Sequence, residues 1–266
     1  MTNCEWEGDP MNQVVVVSGG GTGIGHATAR YFARRNARVV IIGRRAAVLA
    51  HAAQEIGTAF PEAPAVLPLV ADLGLPDEVE RVQRALGERF EAIDVVVNAA
   101  GGHVLRQRPA TDYADGLAGV ARRWTENFTL NTLSAVLLTE ALVDRLRAPG
   151  GRIVFVSSIA AYRGSGQGCY GAAKAALHPY CYDLAKSLGP RGITVNAVAP
   201  GYVEDTEFFG AALPEAQRAA KCAEAMNGHA GRPDDIADTI GWLASPGARH
   251  VTAQIVQVNG GAERGR

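Results

Sequence analysis

Short apolar runs rich in valine and isoleucine recur at 14–17, 39–42, 66–70, 94–98, 152–156 and 193–198, and each reads as a strand buried on both faces. Between them lie alanine-rich, charge-bearing stretches of helical length at 25–36, 77–90, 124–147 and 170–189. Such alternation predicts a parallel sheet with helices on both faces. A last strand at 254–258 follows a helix at 233–244. The expected class is therefore α/β, a doubly wound sheet of about seven parallel strands. The proline-bearing stretch 61–68 reads as a loop into the third strand, because the pattern resumes at once. With no repeat or low-complexity linker, one domain is expected over residues 13–261. Residues 1–12 carry Glu5, Glu7 and Asp9 and no apolar run, so they read as a loose tail and neither a signal peptide nor a membrane anchor. Residues 262–266 read as a second tail.

Composition narrows the ligand class. Lys+Arg at 26 against Asp+Glu at 27 leaves a net charge of −1, which offers no global field for nucleic acid or an anionic membrane and favours a small-molecule ligand. Cys4, Cys169, Cys181 and Cys222 form no CxxC pair and no cluster with histidine, which argues against a disulfide framework and against zinc. A reducing cytoplasm is the expected location. Cys169 reads as a small buried filler beside Tyr170.

Directly after the first strand comes Ser18-Gly19-Gly20-Gly21-Thr22-Gly23-Ile24-Gly25, and a helix pattern starts at its end. Glycines there let the backbone turn sharply and approach a pyrophosphate, whose charge is met by amide N–H groups and the helix N-terminus. The second strand ends Gly43-Arg44-Arg45. Glycine thus stands where an acidic residue would hold a ribose 2′-OH, and Arg44, with Arg45, suits a 2′-phosphate and hence NADP(H). Tyr170 and Lys174, four residues apart in CYGAAKAAL, fall on one helix face. A neighbouring ammonium would favour the phenolate of a tyrosine otherwise titrating near about 10.

The glycine spacing Gly19, Gly23, Gly25 resembles the TGxxxGxG pattern of the classical short-chain dehydrogenase/reductase family, with Ser18 in place of threonine. The resemblance continues through Asn98-Ala99-Ala100-Gly101, Asn131, Ser157-Ser158, Tyr170 with Lys174, and Pro200-Gly201, spanning about residues 13–261. It implies a Rossmann-type fold in which the cofactor lies against Gly19, Gly21, Thr22, Gly23, Ile24 and Gly25. Beyond that turn the implied contacts are Arg44, Arg45, Asp72 (to the adenine amino group), Leu73, Asn98, Ala99, Gly101, Tyr170, Lys174, Pro200, Gly201 and Val203. It also implies a ketone reductase or alcohol dehydrogenase, most like the 3-oxoacyl-carrier-protein reductase type. Tyr170 would be the general acid, Lys174 would lower its pKa, Ser158 would bond the substrate oxygen and Asn131 would position a water leading to Lys174. A homotetramer is implied, packed through helices 124–147 and 170–188. A fold-retaining dinucleotide sensor without turnover is the alternative. A methyltransferase fits less well, since its cofactor lacks a pyrophosphate.

Several positions depart from the family pattern. Ser158 stands twelve residues before Tyr170 where thirteen is common, which leaves Ser157 a competitor. The threonine expected five positions after Pro200 is Asp205, followed by Thr206. Pro179 would bend the helix beyond Lys174, and Ala253 replaces a usual glycine. The segment between Asn98 and Asn131 is long and carries Arg106, Arg108, Arg122 and Arg123 beside the expected substrate mouth. Tyr202, Phe208, Phe209 and Leu213 read as an apolar lid on the opposite side. A basic rim over an apolar pocket would suit an acyl chain on an acidic carrier protein, while plain surface arginines are the other reading.

Overall fold

The computed structural model describes residues 13–107, 110–166, 168–209 and 213–264. Seven strands form one sheet: β1 (Val14–Ser18), β2 (Arg38–Gly43), β3 (Leu67–Val70), β4 (Val95–Asn98), β5 (Arg152–Val156), β6 (Thr194–Pro200) and β7 (Ile255–Val258). Their order is β3-β2-β1-β4-β5-β6-β7 and every pairing is parallel. Side chains alternate across the pleat. Val14 and Val16 of β1 enter the core layer that holds Leu138 and Phe155, whereas Val15 and Val17 enter the opposite layer with Ile41 and Ile240. Two dry layers explain why the strand sequences are continuously apolar. Pro68, which cannot donate to a ladder, sits on edge strand β3.

The chain reverses its direction of travel between β1 and β4, so a crevice opens beyond their carboxyl ends, where ligands of such sheets bind. Around the sheet lie α1 (Gly23–Ala33), α2 (Ala46–Ala59), α3 (Pro76–Gly87), α4 (Val104–Gln107), α5 (Gly116–Phe128), α6 (Ser134–Leu142), α7 (Ala160–Arg163), α8 (Cys169–Ala175), α9 (Leu177–Leu188), α10 (Glu215–Glu224) and α11 (Pro233–Leu243).

Two expected helices take a different form. The helix expected over 124–147 begins earlier, at Gly116, and is broken by a π turn over Thr129–Leu133 before α6. Periodicity concealed this start because the apolar residues of α5, Leu117, Val120, Trp124 and Phe128, are exposed and mark no core face. The helix expected over 170–189 is split at Ala176 into α8 and α9. Pro179 is the cause: it has no N–H for the Ala175 carbonyl, and its ring crowds that oxygen. Ala253 has φ 57° while its N–H bonds the Val195 carbonyl at 2.8 Å, so the position before β7 requires a left-handed residue, which accounts for glycine being usual there.

Candidate active site

At the carboxyl end of β1, Gly19 has φ 68°, and a Cβ on it would lie 2.8 Å from the Ala100 Cα. A Cβ on Gly25 would lie 2.2 Å from the Gly19 carbonyl oxygen, so the turn closes only with glycine at both positions. The Ser18 hydroxyl accepts the Ala100 N–H at 3.0 Å, which ties the ends of β1 and β4 across the crevice. Helix α1 starts immediately after Thr22, with no acidic side chain in its first turn and no side-chain cap. Its positive end therefore faces the turn with the capacity to hold an anion. Ile24 packs against the core layer behind it. Arg44 is exposed and forms no ion pair among the described residues, whereas Arg45 pairs with Glu207 at 2.6 Å. Asp72 accepts the Gly74 N–H at 3.0 Å, and Leu73 buries its side chain in the core, leaving only its backbone for a ligand. A glycine cradle, an uncapped helix end and an unpaired arginine after β2 fit a dinucleotide phosphate chain.

The remaining named residues gather beyond β4, β5 and β6. Asn98 is buried and donates to the Thr139 hydroxyl at 3.0 Å, while Ala99 leads into Gly101. A Cβ on Gly101 would lie 2.8 Å from Asn131 Oδ1 and 2.9 Å from Lys174 Nζ, so its hydrogen alone lets these two side chains converge. Asn131, in the π turn, accepts the Gly102 N–H at 3.0 Å and donates to the Gly102 carbonyl at 2.8 Å and the Asn127 carbonyl at 3.0 Å. A regular α-helix would direct the Asn127 carbonyl to the backbone amide of Asn131. Lys174 Nζ, fully buried, donates to the Val156 carbonyl at 2.8 Å. Burial alone pulls its ammonium down to about 8.

Tyr170 is buried beside Ser158. Burial pushes its pKa up to about 12, against opposing pulls from the Ser158 hydrogen bond and the Arg106 guanidinium. Burial leads the shift of both Tyr170 and Lys174. Ser157 and Ser158 face different ways. Ser157 Oγ bonds the Lys174 carbonyl at 3.2 Å and His178 Nε2 at 2.8 Å, whereas Ser158 Oγ accepts the Ala160 N–H and meets Tyr170.

Pro200 ends β6, and a Cβ on Gly201 would lie 2.8 Å from that of Asn259. Val203 bridges to Gly231. Asp205 takes φ 56°, a left-handed turn, after which the Thr206 methyl lies 3.3 Å from the Cβ position of Gly23. Thr206, not Asp205, therefore covers the glycine turn. The next residues lie over the tyrosine: the Phe208 ring is 5.3 Å from that of Tyr170, and the Arg106 guanidinium stacks over Phe208 at 5.1 Å and Phe209 at 4.3 Å. Rim and lid thus touch instead of standing on opposite sides, because cation–π contact draws them together. Tyr202 packs on Phe209, and Arg122 pairs with Asp115 at the surface. Arg108 lies outside the described residues.

Comparison with known proteins matches this architecture. The family model described as Enoyl-(Acyl carrier protein) reductase covers residues 19–263. The chain belongs to the short-chain dehydrogenase/reductase family. It is 35% identical over 256 residues to the 3-oxoacyl-(acyl-carrier-protein) reductase FabG of Pseudomonas aeruginosa, covering 94% of this chain and 96% of that protein. It is 31% identical over 261 residues to the protein of the same name from Vibrio cholerae, covering 94% and 96%. The crystal structure of Short-chain dehydrogenase/reductase SDR:Glucose/ribitol dehydrogenase from Brucella melitensis superposes with a TM-score of 0.83 at 29% identity, over 95% of this chain and 97% of that one. As a short-chain dehydrogenase/reductase, the protein is an oxidoreductase of CH–OH and C=O groups, in a family that binds a nicotinamide dinucleotide.

Within this family member, sequence reasoning passed over His103, which is buried and stacks on Tyr170 with ring centroids 5.5 Å apart. Its only signal was its place just after Asn98-Ala99-Ala100-Gly101-Gly102 at the carboxyl end of β4. No helix of the described residues is long and apolar enough to cross a membrane.

Proposed function

We propose that the protein is an NADP(H)-dependent ketone reductase in which Tyr170 delivers the proton to the carbonyl oxygen. The observation that carries this reading is a buried tyrosine beside Ser158, four residues before a buried lysine, with its ring packed against Phe208. The bound nicotinamide supplies the hydride. Gly19, Gly21, Thr22, Gly23, Ile24 and Gly25 hold the pyrophosphate, and Arg44, with Arg45, holds the 2′-phosphate. Asp72, Leu73, Asn98, Ala99, Gly101, Pro200, Gly201 and Val203 line the rest of the cofactor groove. Ser158 donates to the carbonyl oxygen as negative charge develops there, and Tyr170 gives up its hydroxyl proton to the same oxygen. Lys174 orients the ribose and, with Asn131, stands on the path that returns a proton to Tyr170. Excluding water beneath Phe208 strengthens each of these interactions.

Both named relatives are 3-oxoacyl-(acyl-carrier-protein) reductases, which supports carrier-bound 3-oxoacyl thioesters among the carbonyl substrates. The exposed apolar stripe of α5, Leu117, Val120, Trp124 and Phe128, together with Tyr182 of α9, supports a homotetramer packed through these helices. Residues 13–261 act as one domain, in the cytoplasm. The test is NADPH and NADH oxidation over ketones, quinones, 3-oxoacyl thioesters and an enoyl thioester. Carbonyl-dependent oxidation that favours NADPH is expected, and Tyr170→Phe should lower kcat by about 10²–10⁴-fold while leaving NADPH affinity intact. Reduction of the enoyl thioester alone, or full turnover by Tyr170→Phe, would overturn the reading.

A further inference from the structure

We infer that the substrate bears a carboxylate a few bonds from its carbonyl, held by Arg106 with His103. The inference rests on the ketone-reductase reading and narrows its substrate class. Two observations carry it. First, His103 is 5% exposed and stacked on Tyr170, yet its buried Nδ1 has no hydrogen-bond partner among the described residues. A buried ring nitrogen left unpaired costs stability unless a ligand completes it. Second, Arg106 stacks on Phe208 and Phe209 close enough to Tyr170 for its charge to act on the hydroxyl, and it forms no ion pair among the described residues. Arg123, whose Nε is also buried with no hydrogen-bond partner among the described residues, adds a second positive charge near His103. Among the described residues no carboxylate acts on Arg106 or His103, and burial leads the downward shift of both.

Placement separates this cluster from a surface that would dock an acidic carrier. His103 contacts the ring of Tyr170, and Arg106 contacts the Phe208 that packs on that ring, so both stand beside the proton donor. A planar guanidinium matches a carboxylate in two parallel hydrogen bonds, and a neutral imidazole N–H can add a third. Burial and the two arginines hold His103 in that neutral form, below its usual range.

The test compares 4-oxo and 5-oxo carboxylic acids with their methyl esters, using full-length protein and NADPH. The acid should exceed its ester in kcat/KM by tenfold or more. Arg106→Gln should cut that acid-to-ester ratio by about 10–100-fold, the range of a charge-assisted hydrogen bond, and Arg106→Lys should restore part of it. Binding of the acid to the NADP⁺ complex, followed by calorimetry, gives a readout independent of turnover. Arg106-dependent binding without reduction of any carbonyl would uphold the anion site while refuting the reductase reading. An acid-to-ester ratio near one, or a carrier-bound thioester alone impaired by Arg106→Gln, would overturn the inference.

Discussion

Replacing Lys174 by methionine should stabilise the protein at neutral pH while abolishing turnover. The side chain is buried, with the Val156 carbonyl as its hydrogen-bond partner, and burial holds its ammonium at about 8 against 10.5 in the unfolded chain. That difference corresponds to a cost of about 3 kcal/mol at pH 7, where the charged form must be carried inside the fold. Methionine removes the charge at similar volume but withdraws the donor from the Val156 carbonyl, a loss of about 1 kcal/mol. The net expectation is a gain of about 2 kcal/mol, or about 4–8 °C in Tm for a chain of this size. The pH dependence follows from the sign of the shift. Between about 8 and 10.5 the unfolded chain binds the proton that the folded protein has released, so the wild-type protein gains stability as pH rises through that window. The advantage of Lys174→Met should therefore be full below about 8 and shrink toward pH 10. Urea denaturation of both proteins at pH 7, 8, 9 and 10 measures this directly. A variant less stable than wild type at pH 7, or a gap that does not change with pH, would refute the reasoning.

Two further outcomes follow from the site geometry. Gly101→Ala would drive a methyl group against Asn131 Oδ1 and Lys174 Nζ, and because both atoms are held by backbone hydrogen bonds, the required shift should lower kcat about 100-fold by steady-state assay. Glu207→Gln frees Arg45 for the 2′-phosphate, so NADPH affinity, read by fluorescence titration, should rise about two- to fivefold with NADH affinity unchanged, consistent with a surface ion pair worth under about 1 kcal/mol.

The order of strands and helices, the glycine turn and the Tyr170–Lys174 spacing were legible because each is local. Strand runs, a strand–turn–helix passage and a four-residue helical interval depend on neighbours in the chain. The same locality made the arginines after β2 visible, and it made the break after Lys174 predictable from Pro179. The start of α5 was not legible, because its apolar residues face outward and so carry no core signal. Sequence favoured Ser158 over Ser157, but the reason the two differ lies in the fold, where the end of β5 sends Ser157 to His178 and Ser158 toward Tyr170. The sequence by itself determined which fold forms and which residue types reach the carboxyl ends of the strands. Tertiary structure alone decided that His103 lies on Tyr170, that Thr206 covers Gly23, and that Arg106 clasps Phe208. These contacts join loops far apart in the chain, set by strand order around the β1/β4 crevice. The degree of burial that shifts Tyr170 and Lys174 exists only once those loops have closed over them.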